Sequence, residues 1–391
     1  MSEHSTGDNI LQENRFPPTR QLAFMAVVLV LSLGVVASAN VKVSAEVVAP
    51  GSVLPLSRAV TVEPAQDGTH QLPLKDSVIS GIGKDSADGS GFRPSGPEAR
   101  GEIELVAVRV WRASLADLFY ALFREDIEVT KKEHSERDED SKEKGAIELE
   151  QSELVAQLAA LRLAGVEARL SGSGARIEEI VAPQAAEVLR VGDVIVEADG
   201  SPIELASDLV KVLERFSPGD ELPLAIEREG IRNVTKVRLS DDSGSEQDRN
   251  RPRARIGVVV SNVDVRVVSP YEVRYSLGEL GGPSAGLAFA LEIYSRVTGA
   301  DLTSGRRVAV TGAINSRGDV LPVGGVSQKT FAAKASGADL MMVPLENLEE
   351  ARSSAGEMEV VGVSNLTEAV DILVSAATKQ PVAEDRASDE N

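Results

Sequence analysis

The feature that most constrains this chain is an uncharged apolar run near its start. Residues 22–39, LAFMAVVLVLSLGVVASA, contain no ionisable side chain over 18 positions. A run of this length can pair its backbone polar groups within a helix and is long enough to cross the hydrocarbon core of a bilayer. We therefore predict a transmembrane helix over residues 22–39, followed by a large body in water.

The charges before this run predict its orientation. Arg15 and Arg20 lie just upstream, so the positive-inside bias places residues 1–21 in the cytoplasm and the body outside it. The expected location is a single-pass cell-membrane protein with an extracytoplasmic body. A cleaved signal peptide is the alternative, because ASA at 37–39 fits a small-residue cleavage site. The length of the run favours an anchor that is not cleaved.

Composition excludes several function classes. The chain has 61 Asp and Glu against 41 Lys and Arg, for a net charge of −20, which disfavours nucleic acid as a partner. It has no cysteine, so disulfides, thiolate nucleophiles and cysteine-based zinc sites are absent. The three histidines are His4, His70 and His134, too dispersed for a histidine-based metal site. We expect no metal and no cofactor.

Changes in amino-acid composition along the chain predict domain boundaries after residue 39. Residues 40–165 form an extracytoplasmic N-terminal region with a charged insert at 126–145. A compact domain of short strands and one helix is expected over 166–240, and a third domain over 253–376. Residues 377–391 have the composition of a disordered tail.

Two helices are predicted inside the N-terminal region. SLADLFYALF has helical spacing, with Ser114 as its N-cap. IELEQSELVAQLAALRLAG is also helical in pattern and ends at Gly165, a residue suited to a C-terminal cap.

The domain at 166–240 resembles the bacterial PDZ domain, an α+β fold. The resemblance rests on VAPQAAEVLRVGDVIVEADGSPI, in which six residues match the family pattern: Leu189, Gly192, Asp193, Ile195, Asp199 and Gly200. It implies that a peptide adds as a strand beside the helix 204–216. The expected nest for the peptide carboxylate is the loop of Gly172, Ser173 and Gly174. The alternative is a PDZ-shaped spacer that binds nothing.

The stretch GGPSAGLAFALEIY raises the question of a nucleophile, because Ser284 lies in a glycine-rich turn that enters a buried helix. No histidine belongs to this domain, so its base must be a carboxylate or an amine. A downstream helix carries Lys329 in its early turns among apolar residues, and both desolvation and the helix dipole lower the pKa of such an amine. Lys334, five residues on, points about 140° away and is expected to face water.

Three ordered motifs resemble the proteolytic domain of the Lon proteases, an α/β fold. They are GGPSAGLAFALEIY, AVTGAINSRGDVLPVGGVSQK and KASGADLMMVP, and the resemblance covers about residues 255–375. It implies that Ser284 is the nucleophile, Lys329 the general base and Thr311 a residue that supports the lysine. Backbone N–H groups of Gly282 and Ser284 are expected to hold the oxyanion.

One position departs from the pattern. Lon usually has an Asp two residues before the Pro-Ser pair, where this chain has Gly281. Together with the apolar run and the PDZ-like domain, the chain resembles the bacterial PDZ-containing Lon-like proteases.

The expected fold is therefore multidomain: a transmembrane helix, an α+β PDZ domain and an α/β Lon-type domain. No Walker A motif occurs in the sequence, so the expected function is ATP-independent cleavage of extended or unfolded polypeptides by a Ser-Lys dyad, without nucleotide. One rival is a membrane-anchored PDZ scaffold that is catalytically silent. A second is another Ser/Lys acyl-transfer enzyme, such as a peptidoglycan hydrolase. The S-x-x-K of that class occurs here only in the charged insert, at Ser141 and Lys144.

Overall fold

The structure is a computed structural model that describes residues 38–39, 41–65, 101–131, 138–241, 253–278 and 280–379. Within these ranges no helix is both long and apolar enough to span a membrane. The apolar run predicted as an anchor lies outside them apart from residues 38 and 39, and His4, His70 and His134 lie outside them too.

A six-stranded sheet forms the centre of the larger domain. Its strand order is β20-β19-β16-β3-β1-β4, in which β20, β19, β16 and β3 run parallel and β1 is antiparallel to both of its neighbours. The strands are β1 (Lys42–Pro55), β3 (Glu102–Ser114), β4 (Glu128–Lys131), β16 (Arg307–Val310), β19 (Leu340–Pro344) and β20 (Glu359–Val363).

Helices cover both faces of the sheet at its central strands β16 and β19, whose residues are almost all buried. The helices of this domain are α1 (Leu56–Ala59), α2 (Leu115–Ala121), α3 (Asp138–Leu163), α6 (Gly286–Thr298), α7 (Val326–Ser336), α8 (Leu348–Ala355) and α9 (Leu366–Lys379). Val308 and Val310 pack into the core that contains α3, α6 and α9. Between them on β16, Ala309 packs into the core formed with α7 and α8. Successive side chains of this one strand therefore pack alternately against the two helical layers.

The division of the chain differs from the one expected from sequence. Residues 40–165 were assigned to a region of their own, yet β1, β3 and β4 belong to the same sheet as β16, β19 and β20. Strand β3 pairs in parallel with β16, with Glu102 opposite Arg307. The sheet is thus built from two chain segments, one on each side of the domain at 166–240.

That inserted domain has its own sheet, in the order β10-β9-β7-β6-β13, with β8 paired to β7. The predicted strands and helix are confirmed, and Leu209 and Val212 on α5 are buried in a separate core. Its elements are β6 (Gly174–Ile180), α4 (Pro183–Ala186), β7 (Val194–Ala198), β8 (Ser201–Pro202), α5 (Ala206–Leu213), β9 (Glu221–Arg228), β10 (Ile231–Arg238) and β13 (Val258–Val263). The sheet therefore extends past the expected boundary at 240, because β13 follows the linker.

Short strand pairs complete the architecture. Strand β5 pairs with β14 at the base of the inserted domain, β2 pairs with β15, β11 with β12 and β17 with β18. Their bounds are β2 (Val60–Pro64), β5 (Arg169–Ser171), β11 (Ser240–Asp241), β12 (Ala254–Arg255), β14 (Arg266–Val268), β15 (Tyr271–Tyr275), β17 (Ala313–Ile314) and β18 (Val320–Leu321). One-turn 3-10 helices occupy Pro283–Ala285 and Leu345–Asn347.

Several helix ends match the sequence. The Ser114 side chain caps α2 by accepting from the Asp117 N–H, and the Asp117 carboxylate accepts from the Ser114 N–H in return. Helix α3 ends at Leu163, followed by Gly165 with a φ of 74°. It begins at Asp138, inside the segment expected to be a charged insert. Helix α9 continues to Lys379, so the expected tail from residue 377 starts as helix.

Candidate active site

Ser284 lies at the entrance to helix α6, in the 3-10 turn Pro283–Ala285 that leads directly into it. Pro283 suits this first turn because its fixed φ fits a helix start and its missing N–H needs no partner there. Gly286 follows because there is no room for a side chain. A Cβ at that position would lie 2.8 Å from Ile314 Cγ2 and 2.9 Å from Ser152 Oγ.

Lys329 comes from the opposite face of the main sheet. It is the fourth residue of α7, whose N-cap Gly325 is left-handed with a φ of 66°. Its side chain is only 2% exposed, whereas Lys334 on the same helix is exposed. Burial in apolar surroundings disfavours the ammonium and lowers the pKa of Lys329 to about 8, against a smaller opposing effect of the Glu350 carboxylate.

Ser284 and Lys329 line one cavity of about 110 Å³. The strand segment 105–108 of β3 forms one wall, and Leu149 of α3 and Leu280 contribute apolar side chains. Among the described residues, no hydrogen bond joins the serine hydroxyl to the amine. Catalytic hydrogen bonds are often long before substrate binds. The two residues predicted from the sequence therefore line the same small cavity.

Thr311 contacts the backbone of Ser284. It is fully buried, and its hydroxyl donates to the Ser284 carbonyl oxygen at 3.3 Å. The Gly312 N–H donates to the same oxygen at 2.9 Å. The segment after β16 thus holds the backbone of Ser284 in place. The resemblance implied that Thr311 supports Lys329, and this role stays a prediction.

The backbone N–H of Gly282 is already used. It donates to the Gly145 carbonyl of α3 at 2.8 Å, so the expected oxyanion role of this group does not fit the structure. Gly282 has a φ of 92° and a ψ of 161°, a conformation open mainly to glycine. Gly281 also approaches α3 closely, since a Cβ there would lie 3.2 Å from the Gly145 carbonyl carbon. The glycine at the position where Lon has an Asp is therefore a packing contact.

Helix α3 supplies site residues that sequence reasoning missed. Leu149 lines the cavity, and the Ser152 hydroxyl donates to the Pro283 carbonyl at 3.1 Å. A glycine inside a long helix costs stability, which is a weak signal of a close backbone approach at Gly145. Glu350 of α8 was also missed, because nothing in its own sequence context links it to Lys329.

The loop expected to bind a peptide carboxylate has no free donors at its centre. The Ser173 N–H donates to the Val263 carbonyl at 2.8 Å, and the Gly174 N–H donates to the Glu204 carbonyl at 3.2 Å. Gly172 is tightly enclosed, since a Cβ there would lie 2.6 Å from the Glu204 oxygen. The Ser173 and Gly174 N–H groups of the expected nest at 172–174 are therefore not available to a peptide carboxylate.

Strand β13 is the edge of the inserted sheet that lies near α5. It pairs with β6 on one side only, and the Ala206 N–H at the start of α5 donates to the Asn262 side chain at 2.7 Å. Val259 of this strand is 47% exposed. Val210 lies one turn beyond Ala206 on the same face of α5 and is 59% exposed. An open strand edge beside a helix is a geometry that accepts an added strand.

Two segments of the chain match known protein families. Residues 279–384 match the family model of the Lon protease (S16) C-terminal proteolytic domain, and residues 163–239 match that of the PDZ domain. Among solved structures, the PDZ domain of the SdrC-like protein from Listeria monocytogenes aligns with 24% of this chain and 92% of that chain. The identity is 17% and the TM-score is 0.21.

The similar curated relatives are Lon proteases. Lon protease 2 of Bacillus subtilis is 31% identical over 166 residues, which are 40% of this chain and 30% of that protein. The archaeal Lon protease of Archaeoglobus fulgidus is 32% identical over 126 residues, 31% of this chain and 19% of that protein. The chain thus spans less than a third of the length of either relative. Residues 163–239 are thus similar to PDZ domains, and residues 279–384 to the proteolytic domain of Lon proteases.

Proposed function

We propose that the protein is a membrane-anchored serine endopeptidase that works outside the cytoplasm, without ATP, through a Ser284–Lys329 dyad. The observation that carries the proposal is the shared cavity, because the nucleophile and a buried amine reach it from opposite faces of one sheet. A lysine with a pKa of about 8 is largely unprotonated at mildly alkaline pH and can serve as a base.

The proposed chemistry needs only these two side chains for its proton transfers. Neutral Lys329 takes the proton of the Ser284 hydroxyl as the oxygen attacks the scissile carbonyl. The resulting ammonium gives that proton to the leaving amine, which leaves an acyl-serine. Water then attacks the ester with Lys329 again as the base, and the new carboxyl product departs as the serine regains its proton.

The oxyanion needs donors other than the Gly282 N–H. We assign this role to the Ser284 N–H, because the first N–H groups of a helix have no partner within the helix and point toward its N-terminus. The bond from Gly282 to Gly145 instead holds the turn in place. Its contribution is one of positioning.

Cavity size supports a narrow choice of side chain at the scissile residue. A space of about 110 Å³ with apolar walls from Leu105, Val106 and Leu149 fits a small or medium apolar group. Charged side chains would lose their hydration there without a partner. We expect efficient cleavage after small apolar residues and poor cleavage after Asp, Glu, Lys or Arg.

For the PDZ domain we propose peptide capture on β13. An extended segment would add as a strand to the open edge, with Val210 of α5 beside it. In an inactive Ser284→Ala background, Val210→Asp should weaken binding of a labelled apolar peptide in a polarisation titration. Val234→Asp, on the distant strand β10 and similarly exposed, is the matched control. Equal binding by the two variants would contradict the assignment to this edge.

The decisive experiment compares the full chain with its Ser284→Ala variant in detergent. Each is incubated with an unstructured protein, with and without ATP, and fragments are read by mass spectrometry. We expect fragments from the unmodified chain alone, in equal amounts with and without ATP. The absence of fragments from both would favour the silent scaffold.

The anchor is tested separately in cells. Externally added protease should digest the body while an intact N-terminus stays in the membrane fraction. A mature chain that starts at Asn40 would instead establish a cleaved signal peptide.

A further inference from the structure

Helix α2 presents its apolar face outward. Leu115 and Phe119 of the helix, with Leu122 and Phe123 of the turn that follows it, form one stripe, which we call the α2 face. Their side chains are 45%, 66%, 77% and 71% exposed, and no residue of α2 is buried. Amphipathic helices of globular domains normally turn this stripe toward the core. In this chain the apolar stripe faces solvent instead.

The exposed stripe is unusual for this chain because aromatic residues make up only 3% of it. Two of its eight phenylalanines, Phe119 and Phe123, pack edge to face at 5.2 Å on the surface. Tyr120 is also exposed, with the Arg124 guanidinium 5.6 Å from its ring centre. Contiguous apolar patches of this kind mark a contact with a protein or a membrane.

The position of the helix selects between these partners. The Leu115 N–H, at the start of α2, donates to the Val41 carbonyl at 3.1 Å. Val41 comes two residues after Ala39, the last residue of the apolar run, so at most about 7 Å of chain separates the run from this contact. Helix α2 itself is only about 10 Å long. A bilayer crossed by residues 22–39 would therefore have the whole α2 face within reach of its surface.

The polar groups around the stripe also suit a phospholipid surface. Lys42 lies opposite Ser114, the N-cap of α2, and Arg112 comes two residues before it. The Lys42 amine donates to the Arg112 carbonyl, and the Arg112 guanidinium donates to the Val43 carbonyl. Long basic side chains of this kind reach phosphates while their stems cover apolar surface. Arg124 is neutralised by Asp126 at its side. Aromatic rings with basic neighbours are typical of the membrane–water interface.

We propose that the α2 face seats the proteolytic domain on the phospholipid surface beside the anchor. The proposal rests on the proposed anchor at 22–39 and goes beyond it, because it gives the domain a second, non-spanning contact. Insertion of the stripe into the interfacial layer would fix which side of the domain faces the bilayer. A single flexible attachment would leave the domain free to rotate.

Fluorescence of the full chain in phosphatidylcholine vesicles tests this contact. The chain has one tryptophan, so Trp111→Phe gives a dark background. In that background, Phe123→Trp reports on the α2 face and Val234→Trp, on the similarly exposed PDZ strand β10, is the control. With brominated acyl chains in the lipid, we expect emission from the first reporter to be quenched several-fold more than emission from the second. Adding Phe119→Ser and Leu122→Ser should reduce that quenching while the protein stays in the carbonate-washed membrane.

The outcomes separate the contact from the anchor. Unquenched emission from a protein that resists carbonate extraction would overturn the proposed contact between the α2 face and lipid. The proposed anchor at 22–39 would be unaffected. Emission that is blue-shifted yet insensitive to bromine would show that protein, such as a second copy, covers the stripe, and this also overturns the proposal. Equal quenching of both reporters would do the same. Release by carbonate would remove the anchor and the seat together, while the cleavage assay with Ser284→Ala would still stand on its own.

Discussion

The burial of Lys329 predicts the pH dependence of cleavage. With a pKa of about 8, roughly one molecule in eleven has a neutral amine at pH 7, and nearly all do at about pH 9.5. At the ordinary value of 10.5 the neutral fraction at pH 7 would be only about one in three thousand. Burial therefore raises the fraction of Lys329 that is neutral at pH 7 about 300-fold. This corresponds to about 3 kcal/mol of differential stabilisation of the two protonation states.

The matching assay is kcat/KM for a fluorogenic peptide from about pH 6 to pH 10, with the full chain in detergent, because this ratio reports the ionisation of the free enzyme. We expect a tenfold rise per pH unit at low pH and a plateau above a midpoint near 8. Lys329→Arg keeps the charge but cannot release its proton, so it should be as inactive as Ser284→Ala. Lys334→Ala changes an exposed lysine of the same helix and should keep most of the activity.

Two results would refute this reasoning. A rate that stays flat between pH 7 and pH 9, measured under conditions where chemistry limits turnover, would mean that Lys329 is not the titrating base. Substantial turnover by a folded Lys329→Arg protein would remove the Ser-Lys assignment altogether.

Three further predictions use neighbouring groups. The Glu350 carboxylate raises the pKa of Lys329, so Glu350→Gln should move the midpoint of the pH profile to lower pH; an unchanged midpoint would contradict the coupling. The unfolded chain binds the Lys329 proton up to about pH 10.5 and the folded chain only up to about 8, so stability falls as pH drops between these values. Lys329→Met should therefore be inactive yet more stable at pH 7, by up to about 3 kcal/mol in denaturant unfolding; unfolding at a lower denaturant concentration would contradict this. Gly282→Ala meets no atom within 4 Å but strains a glycine conformation by about 1–3 kcal/mol, so it should lower kcat while circular dichroism stays unchanged; full activity would argue against a positioning role for this turn.

Local patterns predicted the elements that carry the site. The spacing around Ser284 and Lys329 predicted both helices, α6 and α7. The PDZ pattern is dominated by scaffold residues such as Asp193, whose carboxylate accepts from the Arg190 N–H and pairs with Arg228. Such residues determine local geometry, and short sequence windows are sufficient to recognise them.

Hydrogen-bond and strand partners that lie far apart in the sequence could not be predicted from such short windows. The Gly282 N–H is taken by Gly145, and the Ser173 N–H by Val263, so one expected oxyanion donor and one expected carboxylate donor are unavailable for the same reason. A glycine-rich loop shows that the backbone can turn, but its donors are free only if no other segment supplies a carbonyl. The membership of β3 in the main sheet was missed because parallel pairing leaves no mark in either strand alone.

The two-segment main sheet also has a consequence for the order of folding. Glu102 and Arg307 are neighbours across β3 and β16 but lie roughly 200 residues apart in the chain, and closing so long a loop is entropically costly and slow. The PDZ domain has a core of its own within that loop, so its earlier folding would shorten the effective loop and bring the two halves together. Cotranslational folding would then keep Ser284 and Lys329 apart until the last third of the chain has emerged. A nascent or truncated chain that stops before β16 would carry the folded inserted domain without the complete main sheet and without Lys329.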